Sequence, residues 1–179
     1  MTFNKAHKIR HQIRYNSTIN LLDKYVIDKQ LSIIDMGVEN PLSILMKKNG
    51  YNVENTPEGM DLDNNSQWFS NKQTDIVTAF EIFEHLTNPY QILKEIKANR
   101  LIATVPLSLW FAKAYRNSKN DWDKHFHEFE DWQFDMLLER TGWKIIHTEK
   151  WIMYDNKIGI RPILRRFYPR IYAVVADKI

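Results

Sequence analysis

The chain has 179 residues, a length for one domain with a sizeable core, and its 44% hydrophobic and 26% charged residues suit a soluble globular protein. Cysteine is absent, which excludes disulfides, thiolate metal sites and cysteine nucleophiles, and a net charge of +3 is too mild to argue for nucleic acid. No apolar run approaches the roughly 20 residues of a membrane span, and the charged start MTFNKAHKIRHQIRY lacks a signal-peptide core, so a cytoplasmic location is expected.

Ile9, Ile13, Ile19, Leu22 and Val26 recur near helical spacing without Pro or Gly, which predicts a helix over 5–28. It forms an N-terminal helical segment (1–30) ahead of an α/β unit (31–179) within a single domain. Ser32–Gly37 reads as a buried strand. Pro41 then opens a helix at its first turn, where a missing N–H costs nothing, and Gly50 closes it. Tyr51–Asn55 is a second short strand and 56–73 is polar and turn-rich. Asp75–Phe80 is a third strand, and Asn88 caps a helix that starts at Pro89 and runs through Ala98. Leu101–Val105, a helix over Phe129–Arg140, a strand over 143–152 and a last strand over Ile171–Ala176 follow. This alternation predicts a Rossmann-like α/β fold: a mostly parallel sheet of six or seven strands, helices on both faces and an antiparallel edge strand.

Charge is unevenly spread. Residues 1–22 hold Lys5, Lys8, Arg10 and Arg14 with no acid, and 156–176 hold Lys157, Arg161, Arg165, Arg166 and Arg170, again with no acid. Two readings stand: solvated basic faces, or a contact surface for a phosphate-bearing or membrane-bound partner.

Several segments together resemble the class I S-adenosylmethionine-dependent methyltransferases, of the type 11/23 kind. IIDMG before a helix ending KKNGY is similar to that family's first strand, glycine loop and first helix. TDIVTAFEIFEHLTNPYQILKEI resembles the segment around its fourth strand, LIATVP its fifth, and HFHEFEDWQFDMLLERTGWKI the helix and turn before its sixth. The resemblance implies S-adenosylmethionine as cofactor, seated against Gly37 with Asp35, Ala79 and Glu81 close by. In an open parallel sheet ligands sit beyond the carboxyl ends of the strands, where Asp35, Gly37, Glu81, Glu84 and His85 all fall.

The chain departs from the family at three places. The family loop Asp/Glu-x-Gly-x-Gly-x-Gly is here Asp35-Met36-Gly37-Val38-Glu39-Asn40-Pro41, with one glycine left and Glu39 where close backbone approach is expected. Thr56-Pro57 replaces the ribose-binding acid, so Glu54, Glu58, Asp61 or Asp63 must substitute, Asp61 and Asp63 being preferred. Thr56 and Thr74 stand only 18 positions apart, too few for the usual third strand.

Glu81, Glu84 and His85 stand at i, i+3 and i+4, one face of a helical turn. Two carboxylates and an imidazole suit a divalent metal ion with open positions, and His127 or His125 is placed to add a fourth ligand. That spacing resembles the metal-using small-RNA 2′-O-methyltransferases and the O-methyltransferases of ubiquinone synthesis. Without a metal, Glu84, His85 and His127 are candidate acid/base residues, histidine being the residue type suited to proton transfer near neutrality. A purely structural cap is the remaining alternative. Asp121, Asp123 and His125 fall in a candidate lid, and Trp110, Phe111, Trp122 and Trp132 are candidates to line an apolar pocket. The expectation is methyl transfer to an oxygen or nitrogen of a small or lipid-linked acceptor. The alternatives are a binding protein that has lost the cofactor and a metal-assisted RNA methyltransferase, nucleic acid being the less favoured partner. The basic C-terminal stretch, mixed with Ile, Leu, Phe and Tyr, suits a membrane surface.

Overall fold

The structure, a computed structural model, describes residues 3–116, 123–154 and 159–179, with side chains of the first helix from Arg10 onward. The elements are α1 (Phe3–Tyr25), β1 (Ser32–Asp35), α2 (Pro41–Lys48), β2 (Asn52–Asn55), α3 (Gln67–Ser70), β3 (Gln73–Phe80), a 3₁₀ turn (Phe83–His85), α4 (Pro89–Glu95), β4 (Lys97–Pro106), α5 (Asp131–Arg140), β5 (Trp143–Trp151), α6 (Ile160–Leu164) and β6 (Ile171–Lys178). The sheet has six strands in the order β2-β1-β3-β4-β6-β5. The first four are mutually parallel, and β6 runs antiparallel to both β4 and β5. The α/β fold with its mostly parallel sheet is the expected one; the reversed strand lies one place in from the edge, between β4 and β5.

Local chemistry explains most boundaries. Asn40 caps α2, its Oδ1 accepting from Leu42 N (2.9 Å) and Ser43 N (3.2 Å), while Ser43 Oγ accepts from Asn40 N (2.9 Å). Two boundaries differ from expectation. α4 stops at Glu95 instead of reaching Ala98, because Lys97 and Ala98 pair with Gln73 and Thr74 of β3, which starts β4 four residues early. The ladder outweighs alanine's helix propensity there. α5 starts at Asp131 because Phe129 bridges Leu107 and Glu130 serves as the cap. Among the described residues no strand lies between β2 and β3, as the short spacing required.

The sheet buries both faces. Leu21 and Leu22 of α1, Val26 just after it, and Leu42 and Met46 of α2 pack with Ile33, Ile76, Ile102 and Val175 on one. Ile92 and Leu93 of α4 and Phe134 and Leu138 of α5 pack with Phe83, Val77, Leu101 and Trp143 on the other. The N-terminal helix is therefore a wall of the same core. Antiparallel β6 has a positional consequence: Ile171, its first residue, pairs with Pro106, the last of β4, so Arg170 arrives at the carboxyl ends of the parallel strands.

Candidate functional site

A cavity of about 740 Å³ opens at those carboxyl ends. Its floor includes Asp35, Met36 and Gly37 after β1 and Phe80, Glu81, Ile82, Glu84 and His85 after β3. Helix α1 and the segment before β6 wall it.

The turn after β1 is held from beneath. Asp35 is 2% exposed, takes 2.6 Å and 3.2 Å hydrogen bonds from Thr78 Oγ1 and Asn55 Nδ2, and has its carboxyl pushed up to about 6 by burial, the two bonds opposing. Asn55 Nδ2 also donates to Gly37 O (3.2 Å), and Gly37 N donates to Thr56 Oγ1 (2.9 Å). Gly37 has φ +106°, open to glycine and costly for any side chain. Glu39 points away from the cavity and pairs with Lys47 of α2, so its charge does not block the turn.

The expected ribose acids are engaged elsewhere. Asp63 accepts from Thr87 N (2.9 Å) and Asn88 N (3.1 Å), tying the loop to the start of α4, and Asp61 accepts from Asp63 N (3.0 Å). Neither lines the cavity. At the tip of β2, Asn55 has a buried Oδ1 without a partner, and it too stands outside the cavity lining. No sequence signal distinguished it from an ordinary strand-end asparagine. Ala79 is fully buried within β3 rather than at the cavity surface.

The acidic turn is the unusual feature. Glu81 takes φ 60°, a left-handed conformation uncommon for a residue with a side chain, and its N–H donates to Thr104 O (3.0 Å). Its carboxyl lies 3.6 Å from Arg14 Nη1. Burial raises Glu81, and Arg14 and Arg170 oppose the rise. Glu84 is 0% exposed and neither of its carboxyl oxygens has a hydrogen-bond partner. Burial, then the neighbouring Glu81, holds its carboxyl well above the usual carboxylate range, favouring the neutral form. His85 Nδ1 lies 3.0 Å from Lys124 O, which fixes Nδ1 as the protonated nitrogen and leaves Nε2 as an acceptor, 3.9 Å from Glu84 Oε1. The His125 ring meets His85 edge-on at 5.0 Å, and burial, then His85, lowers its basicity.

The structure brings Glu84, His85 and His125 together, with one ligand atom from each within 4.8 Å of the others. His127, the expected partner, does not line the cavity. Its N–H donates to Glu84 O (3.2 Å) and its ring stacks on Phe129 at 5.6 Å. Glu81 faces Arg14 rather than this cluster. Glu81 departs because the turn is 3₁₀ and starts at Phe83, so Glu81 precedes it and the i, i+3, i+4 face is not formed. Of the expected pocket aromatics, Trp110 and Trp132 are 77% and 54% exposed, Phe111 packs against Tyr168, and Asp121 and Trp122 lie outside the described residues. Asp123 does line the cavity, whose apolar side is Met36, Leu42, Phe80, Ile82 and Leu107.

No protein-family model matches the chain, and no curated protein sequence does either. Solved structures do. Magnesium protoporphyrin IX methyltransferase from Synechocystis, with bound S-adenosylhomocysteine, superposes with TM-score 0.66 over 100% of this chain and 89% of its own at 14% identity. A putative methyltransferase in complex with the Haloferax volcanii Trm112 activator gives 0.65 over 98% and 94% at 11% identity. Burkholderia thailandensis 1,6-didemethyltoxoflavin-N1-methyltransferase, with its substrate and S-adenosylhomocysteine, gives 0.63 over 92% and 77% at 13% identity. The fold is that of the S-adenosylmethionine-dependent methyltransferases. In this methyltransferase fold the Gly37 turn, the tip of β2 and the end of β3 stand where the general rule for open α/β sheets puts a ligand.

Proposed function

We propose that the protein transfers a methyl group from S-adenosylmethionine to an oxygen or nitrogen of a small acceptor. One observation carries the reading: the cluster of buried Glu84 with half-buried His85 and His125 faces a cavity of about 740 Å³ that also reaches the Gly37 turn. The residues fit the cofactor. Gly37 leaves the backbone bare at the cavity, and Asp35 lines the cavity beside it. The bound cofactor supplies an electrophilic methyl sulfonium, whose transfer depends mainly on alignment. His85 is oriented through Nδ1 by the Lys124 carbonyl and offers Nε2 to take the acceptor's proton as its heteroatom attacks. The Glu84 carboxyl, 3.9 Å from Nε2, lies beside the imidazolium that forms. Calorimetry with S-adenosylhomocysteine tests the cofactor half: saturable binding is expected, and no heat at millimolar ligand overturns the reading.

That null result would favour a binding protein without the cofactor, a reading supported by Gly37 N–H being taken already by Thr56 Oγ1 at 2.9 Å. A divalent ion is a second reading of the cluster itself, favoured by the two unpartnered oxygens of Glu84 beside two imidazoles. Chelation separates the two: activity lost to chelator and restored by Mn²⁺ assigns an ion, and activity that survives assigns the base. A lipid-linked acceptor fits the exposed apolar and basic group near the cavity, where Phe167 and Ile160 are 72% and 80% exposed beside Arg161 and Arg166. Among the described residues no helix is long and apolar enough to cross a membrane.

A further inference from the structure

Helix α6 and the turns that follow it form an amphipathic piece facing outwards. Helical hydrogen bonds continue past α6, from Arg165 N to Arg161 O (3.0 Å) and from Tyr168 N to Leu164 O (3.1 Å). Ile160, Ile163 and Phe167 therefore stand at i, i+3 and i+7, the spacing of a face that packs on a core, yet all three are exposed. Exposed Trp110 extends the patch, its ring meeting the Tyr168 ring edge-on at 6.4 Å. A contiguous exposed apolar patch marks a contact surface. Charge selects the occupant. Neither 107–120 nor 156–176 contains an acid, so both segments carry one sign of charge, with Lys113, Arg161 and Arg166 exposed. Protein interfaces gather apolar residues at the centre and leave charge to the rim. Here Arg161 follows Ile160 and Arg166 precedes Phe167, so cationic and apolar side chains alternate. That pattern suits a bilayer surface. Apolar side chains enter the acyl boundary there, guanidiniums snorkel to anionic headgroups, and Trp and Tyr rings sit at the interface.

We propose that this patch docks the protein on an anionic lipid bilayer. Ile160, Ile163, Phe167 and Trp110 enter the boundary between headgroups and acyl chains, and Arg161 and Arg166 meet lipid phosphates. Arg165 of the same segment and Leu109, beside Trp110, line the cavity, so docking brings the cavity rim to the lipid. The docking stands apart from the methyltransferase reading. Only its consequence, that an acceptor reaches the cavity from the bilayer, rests on that reading.

The test is co-sedimentation of the full chain with vesicles of phosphatidylcholine and phosphatidylglycerol in equal parts, against vesicles of phosphatidylcholine alone. Binding is expected to the mixed vesicles only, and it should weaken as salt rises. Phe167→Ala should weaken it about tenfold and Arg166→Gln about fivefold. Ile27 and Lys48 are exposed just before β1 and β2 begin, at the end of the sheet away from the patch. Ile27→Ala and Lys48→Gln should each change binding less than about twofold. Unfolding midpoints identify any variant that fails to fold, and Ile163→Ala then takes the place of Phe167→Ala. Absent binding to the mixed vesicles overturns the proposal and leaves the patch to a protein partner. Equal binding to both vesicle types overturns it, as does binding untouched by Phe167→Ala, which would mean adsorption by charge alone. Equal weakening by the two variants at the far end also overturns it. So does displacement by free glycerol phosphate at constant ionic strength, because a single anion site then suffices. Vesicle binding by a protein that binds no S-adenosylhomocysteine keeps the docking surface and removes the methyltransferase reading alone.

Discussion

A fully buried carboxyl group with no hydrogen-bond donor is costly to ionise, and Glu84 is in that position behind His85. His85→Gln keeps a hydrogen bond to Lys124 within reach but removes the proton acceptor. We expect turnover to fall by about 10²-fold or more, with S-adenosylhomocysteine affinity little changed. Asp35 makes a separate prediction about stability. Its carboxyl titrates at about 6 in the folded protein against an ordinary value of 3.8. The folded state therefore holds the proton more tightly than the unfolded chain, and the stabilisation present below pH 3.8 is lost as pH rises towards 6. Glu81 and Glu84, also raised, act in the same direction. The unfolding midpoint should fall across that interval, and Asp35→Asn should flatten part of the slope. An unchanged slope would mean that Asp35 is not the titrating group.

At the scale of elements, the turn after β1 depends on Gly37 having φ +106°. An added Cβ meets Ile82 Cδ1 at 3.5 Å, ordinary contact, so the cost of Gly37→Ala is backbone strain, about 1–3 kcal/mol by denaturant unfolding. Helix α1 depends on Leu22, which is 0% exposed between it and the sheet. Leu22→Ala should cost about 2–5 kcal/mol in the same measurement. The βα alternation, the Asn88 cap and the missing third strand were legible because each is written in local pattern: apolar runs, Asn-Pro, and a spacing too short for more. The end of α4 was not, because Ile96-Lys97-Ala98 suits either helix or strand and only the Gln73 partner decides. The choice of His125 over His127 was not legible either. Both sit in an irregular segment, and their positions are set by two long-range bonds to the Glu84 carbonyl, Phe126 N at 2.7 Å and His127 N at 3.2 Å. Asp61 and Asp63 looked like ligands because acidic side chains in a loop have the same composition whether they bind a hydroxyl or cap a helix.

For the whole molecule, the site is assembled from sequence-distant parts by the reversal of β6. The strand is fully buried over Ile171–Ala176 and joins β4, through a bidentate Arg100–Asp177 pair at 2.7 and 3.0 Å, to β5 on its other side. In the sheet order β5 touches no strand except β6. Without β6, β5 is left as a ribbon of unpaired amides, together with the α5 face that packs against it. Only the arrival of β6 lets both enter, and that same arrival brings Arg170 to the cavity mouth. Closure of the sheet and delivery of Arg170 to the cavity are one event, so a truncated chain lacking β6 should be captured by chaperones and proteases rather than persist as a smaller fold.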